Sequence, residues 1–256
     1  MKSLLSFTKK EYLEHFRSAK IFILTGVFIL LAIMSPMIAK FTPMIVEMLS
    51  ESMAQGSMEI TSGEVTAMDS WLQFIKNAPM ALIVFVLLES NIFTKEYQKG
   101  TLVLALTKGL KRHTVLISKT FVMLTLWTAE YFMCYGLTYL LNDILWDNSV
   151  AENLMFTALC WWIMGVMVIC LSVFFSAVAK TNIAVLAGTG VLVFASYLIG
   201  MLPKLDKFMP TLLMSSSSLI YGLEEVSYYI PALIIAISIC VASIIFSVPI
   251  FNKKHI

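Results

Sequence analysis

Two carboxylates, Glu89 and Glu130, stand inside long apolar runs of this sequence. A carboxylate in such surroundings is costly to bury and marks a bundle interior or a transport pathway. Glu130 falls near the middle of its run, where it can hydrogen-bond across a helix interface or polarise a substrate route. Glu89 falls near the end of its run, within reach of the aqueous boundary. Other chemistry is sparse. The histidines, His15, His113 and His255, all lie outside the apolar runs, so no H-E-x-x-H or other zinc site can form on a membrane helix. The four cysteines sit inside apolar stretches with no C-x-x-C pair and read as reduced packing residues. Met44, Met48, Met53, Met58 and Met68 offer thioethers suited to Cu(I), but their spacing is loose and neither Cys nor His joins them. No Gly-Lys dipeptide occurs, so the phosphate-binding G-x-x-x-x-G-K-[ST] loop is missing and this chain is expected not to be an enzyme or its own ATPase.

The elements that must position these residues follow from composition. Of 256 residues, 59% are apolar and 13% charged, against about a quarter charged in a soluble domain, and mean hydropathy is +0.86. The bilayer is the expected solvent, and a net charge of +2 points away from a nucleic-acid partner. Apolar intervals of about 20 residues predict an all-α polytopic protein, one transmembrane domain over 1–256. Its six spans fall at about 21–39, 71–93, 115–142, 153–179, 181–203 and 226–251, the second lengthened by an aromatic anchor at 71–74. An N-terminal amphipathic helix over 1–18, with Leu5, Tyr12 and Phe16 on one side, is expected on the membrane surface, with no cleavable signal. The outer loop, 40–70, is expected to hold a short surface helix and a Gly/Ser/Thr-rich tip. With the N-terminus inside, 14 of 18 basic residues fall on the inner side and 11 of 16 acidic ones outside. This distribution puts both termini in the cytoplasm. Two membrane carboxylates and no buried Lys, Arg or His weigh against an ion-driven carrier.

The inner connection, 94–112, has the most legible local physics. Lys99-Gly100 is a helix stop, with a cation on the negative dipole end and a glycine free to turn left-handed. Thr101 can cap a short helix over 102–107, which Lys108-Gly109 ends before Lys111-Arg112 leads into the third span. In this connection, Glu96, Gly100, Thr101, Leu102, Leu104, Leu106, Arg112 and Lys119 fall in a spacing that resembles the membrane subunits of type-2 ABC (ATP-binding-cassette) exporters. Phe251-Asn-Lys253-Lys254 resembles their Phe-x-basic-basic ending. Gly109 stands where that family often has Pro, and Ser118 where it often has Gly.

The resemblance implies a permease subunit, paired with a second copy or a related permease in the plasma membrane of a bacterium. Separate cytoplasmic ABC ATPase subunits would use ATP and Mg2+. It assigns ATPase coupling to Glu96, Gly100, Thr101, Leu104, Arg112 and Lys119. Glu96 would position a docking helix by pairing with a basic group on the ATPase or with Arg112. Glu89, Glu130 and Tyr131 are the intramembrane polar or pathway candidates. Aromatic residues around Tyr131 suit an amphipathic peptide or other hydrophobic cargo, and suit helix packing equally. The alternatives are a non-transporting membrane sensor or resistance partner of the same fold, and an ion or copper-type exporter permease.

Overall fold

The computed structural model describes residues 2–53, 64–100, 102, 107 and 109–254, and no strand occurs among them. The helices in chain order are α1 (Lys2–Arg17), α2 (Ala19–Met53), α3 (Ala67–Glu89), α4 (Asn91–Lys99), α5 (Arg112–Leu145), α6 (Leu154–Val178), α7 (Asn182–Gly200), α8 (Ser217–Ile220) and α9 (Val226–Lys253). Five described helices are long and apolar enough to cross a membrane: α2, α3 continued into α4, α6, α7 and α9. The sixth expected span is α5. Its 34 residues reach about 50 Å at 1.5 Å per residue, but Lys119, Glu130 and a series of threonines and tyrosines dilute its apolar character. Five helices therefore meet both criteria, not six.

Helix α6 packs against α3, α5, α7 and α9, while α2 packs on α3 and α5. The middle of the bundle is aromatic. Phe28 and Phe85 meet the Trp127 ring edge-on at 6.1 and 5.3 Å between centroids, and Tyr131 stacks on Trp127 at 5.4 Å. Two indoles tie α5 to α6: Trp127 Nε1 donates to the Trp162 carbonyl and Trp162 Nε1 to Thr128 Oγ1, both at 3.1 Å. This close approach depends on Gly165, where an added Cβ would stand 2.2 Å from the Trp127 ring. In contrast, α7 buries only Val185 and Thr189.

Polar groups satisfy the backbone where the sequence interrupts it, as an apolar surrounding requires. Pro36 inside α2 has no N–H to offer the Ala32 carbonyl four residues back, and Thr138 Oγ1 of α5 donates to that oxygen at 3.2 Å. Because α2 continues through Pro36 and Pro43 to Met53, the expected outer loop begins as a continuation of the first long helix. The tip at 54–63 lies outside the described residues. At the same end of the bundle, the segment after α7 folds into 3-10 turns over Asp206–Phe208 and Pro210–Ser215 and then α8. Leu213, Leu219 and Ile220 are buried there. This plug carries no periodic signal in the sequence.

Candidate coupling site at the basic end

The opposite end of the bundle collects α1, α4, the start of α5 and the last turn of α9. Its construction begins with α1. Thr8, Glu11, His15 and Ser18 recur at helical spacing and form a polar stripe. In a surface helix such a stripe faces water, but here it faces the protein, while Leu5, Leu13 and Phe16 are exposed. Thr8 donates to Ser118 of α5 at 3.1 Å, and Tyr12 hydrogen-bonds Thr125 of the same helix. Tyr12 is thus on the protein side of α1, not on a face shared with Leu5 and Phe16.

Beneath the stripe lies a buried ionic knot. Lys119 Nζ of α5 is 2.7 Å from Glu11 Oε2 and 3.2 Å from Glu96 Oε1 of α4. The Lys119 and Glu11 side chains are each 2% exposed. Lys10 adds contacts of 2.9 Å to Glu11, 2.9 Å to Glu14 and 3.4 Å to Glu96. The three carboxylates come within 4.8 Å of one another, a crowding that the two ammonium groups between them make tolerable. Burial opposes the Lys10 charge, but the hydrogen bonds it donates to Glu14 and Glu11 hold its pKa well above the usual lysine range. In return Lys10 holds the Glu14 carboxyl low.

His15 closes the knot. Its Nδ1 lies 3.0 Å from the Glu11 carbonyl and its Nε2 lies 2.8 Å from Glu89 Oε2. A carbonyl only accepts, so Nδ1 carries a hydrogen, and the Nε2–Glu89 contact needs a second proton on one of its two atoms. Burial works against an imidazolium, but the Glu89 hydrogen bond and charge outweigh it and raise the His15 pKa. Two sequence expectations are corrected here. Glu89 is 1% exposed beneath α1 and does not reach the aqueous boundary, and this end of the bundle buries a lysine and a histidine.

Three other cations complete backbone groups. A helix end leaves its last carbonyls without partners and with partial negative charge, and α3, α6 and α9 all end here. Lys20 donates to the Leu88 carbonyl at the end of α3, at 2.6 Å, and to Asn91 Oδ1, at 2.7 Å. Lys254 donates to the Ser176 and Ala179 carbonyls at the end of α6, at 2.9 and 2.6 Å. Arg112 Nη1 donates to the carbonyls of Phe251 at 3.4 Å, Asn252 at 3.3 Å and Lys254 at the end of α9. Glu96 has Lys10 and Lys119 as its partners and the Arg112 guanidinium bonds the end of α9, so among the described residues Glu96 pairs with two lysines and not with Arg112, one of the two partners expected for it. Gly100 and Gly109 take φ of 66° and 87°, the left-handed conformation that ends helices. Leu102 is buried. Thr101, Leu104 and the body of the expected 102–107 helix lie outside the described residues.

In the middle of the bundle, Thr25 Oγ1 donates to Glu130 Oε1 at 2.6 Å, tying α2 to α5, while Glu130 Oε2 is buried with no hydrogen-bond partner among the described residues. Tyr131 is enclosed in the aromatic core and donates to the Ala158 carbonyl at 2.9 Å. Between α3, α6 and α7 lies an apolar cleft of about 360 Å³, lined by Leu82, Val86, Met164, Val168, Leu186 and Val193 among others. Glu11, His15, Lys10 and Lys20 were missed as site residues by the sequence reading. The one signal available was the Glu11–His15 spacing of four, which places a carboxylate and an imidazole on one helical face.

A bundle of long apolar helices, whose buried charged side chains among the described residues lie at one end and at one central carboxylate, defines a multi-pass membrane protein. Residues 5–218 match the family model described as ABC-2 family transporter protein, and the chain belongs to that family. It is therefore an ABC transporter permease, a class that associates with ABC ATPase subunits. No curated protein matches the chain.

Proposed function

We propose that this chain is the permease subunit of an ATP-driven exporter in the bacterial cell membrane. It crosses six times, α5 included, with both termini cytoplasmic, and works as a pair above separate ATPase subunits. The observation that carries this reading is the buried knot: Lys119 and Glu11 join the 94–112 connection, through Glu96, to α1 and α5. Packed ionic contacts with fixed partners transmit a displacement, where solvated ones would yield. Closure of the ATPase subunits on ATP and Mg2+ displaces α4. The knot carries that motion to α1 and α5, and the His15–Glu89 bond carries it to α3. The exposed apolar residues of α1 suit an in-plane position at the membrane surface. An amphipathic peptide or other hydrophobic cargo is favoured by the apolar cleft between α3, α6 and α7.

The test is co-expression with the Walker-motif ATPase encoded nearest to this chain, followed by reconstitution in lipid nanodiscs. The expected outcome is a stable complex whose ATP turnover responds to the permease. The Glu96→Ala variant should still bind the ATPase and lose that response. No association with the wild-type chain, or a full response in Glu96→Ala, contradicts the reading.

A further inference from the structure

The knot meets α4 at Glu96. One turn earlier on the same face of α4, Phe93 meets the last turn of α9, beyond the residues that the family model matches. Phe251 is fully buried and meets Phe93 of α4 edge-on, with ring centroids 6.2 Å apart. Phe93 also lies under Lys119, whose Nζ is 6.0 Å from the ring centroid, so one side chain of α4 touches both the knot and the C-terminal turn. From that turn two cationic links run onward. Arg112, where the 94–112 connection enters α5, holds three carbonyls of residues 251–254. Lys254 holds two carbonyls at the end of α6.

We infer that the turn at 251–254, with Arg112 and Lys254 as its two cationic joints, is a second transmission link that moves the ends of α9 and α6 together with the 94–112 connection. The inference rests on the permease reading and adds to it a route that reaches the helices the knot does not touch. The physical basis is the geometry of the joints. Each cation donates to more than one carbonyl of a helix end, so the joint resists rotation as well as separation, and both joints meet within four residues of one another. A displacement of α4 reaches Phe251 through Phe93, reaches α9 through its own last turn, and reaches α6 through Lys254. Lys254 is a positioning residue in this scheme, since its ammonium acts through the backbone carbonyls at the end of α6.

The experiment uses the complete permease–ATPase complex in nanodiscs, with spin labels at Lys180, just past α6, or at Arg17, at the end of α1. Each is paired with a label at Asp143, at the far end of α5. Distances are compared without nucleotide and with Mg-ATP. In the otherwise wild-type complex both pairs are expected to change. In Lys254→Gln the change at position 180 is expected to be lost while that at position 17 persists, and Lys254→Arg, which keeps the donors and the charge, is expected to restore it. Arg112→Gln cuts the other joint and gives the same loss at position 180 should Lys254→Gln not assemble. An unaltered change at position 180 in Lys254→Gln or Arg112→Gln overturns the second link and leaves the permease reading intact. An absence of change at both positions in the otherwise wild-type complex overturns both.

Discussion

The basic end and the middle of the bundle both bury large side chains and hold together by different physics. In the middle, Trp127, Tyr131, Phe28 and Phe85 fit by shape around Gly165, and stability comes from close packing, which tolerates no added volume. At the basic end, Lys119, Glu11, Glu96, Glu89 and His15 are held by reciprocal charge. Desolvation there offsets most of the Coulomb attraction, so the intact knot adds little net stability, yet losing one member leaves a buried charge without a partner. A region of low net stability with exacting partners is suited to being pushed between arrangements, whereas the aromatic middle is suited to staying rigid.

The largest expected effect comes from breaking the knot. Lys119→Met leaves Glu11 and Glu96 with only the half-exposed Lys10 as a shared cation and is expected to destabilise the protein by up to about 3–5 kcal/mol, measured by reversible unfolding in mixed micelles. A loss no larger than that of an exposed ion pair would remove the distinction between the two regions. A smaller loss is expected in the middle. Gly165→Ala drives a methyl into the Trp127 ring and is expected to cost about 1–3 kcal/mol by overpacking. Gly190→Ala, whose added Cβ meets nothing within 4 Å, should be neutral by the same assay. The smallest effect separates the regions by pH. Because the folded-state pKa of His15 is raised, its contribution is fully present below the unfolded value of 6.5 and declines as pH rises through the raised value. The wild-type melting temperature should therefore fall above pH 6.5 by more than that of His15→Gln. Parallel profiles for the two proteins would show that His15 contributes no pH-dependent stability.

These differences were unequally legible in the sequence. The long helices follow the unbroken apolar runs: the runs at 153–179 and 181–203 became Leu154–Val178 and Asn182–Gly200, because length and hydropathy suffice to define a spanning helix. Gly100 was readable as a left-handed stop, since few other residues adopt that conformation readily. The orientation of α1 was not readable. Glu11 and His15 resemble a solvated stripe until Lys119 and Glu89, more than 70 residues away in sequence, are placed against them. The same holds for Arg112 and Lys254, which read as topology-setting charges on the inner side and prove to complete helix ends. The continuation of α2 through Pro43 was hidden because a proline ordinarily argues for a break.

Transmission through the basic end requires that Glu11 and Lys119 act as one buried unit. A double-mutant cycle of Glu11→Gln and Lys119→Met, measured by unfolding in mixed micelles, tests this. The two residues are expected to be coupled by about 1–3 kcal/mol, the double variant being more stable than the sum of the single losses implies. Losses that add to within about 0.5 kcal/mol would contradict the knot and the transmission role built on it.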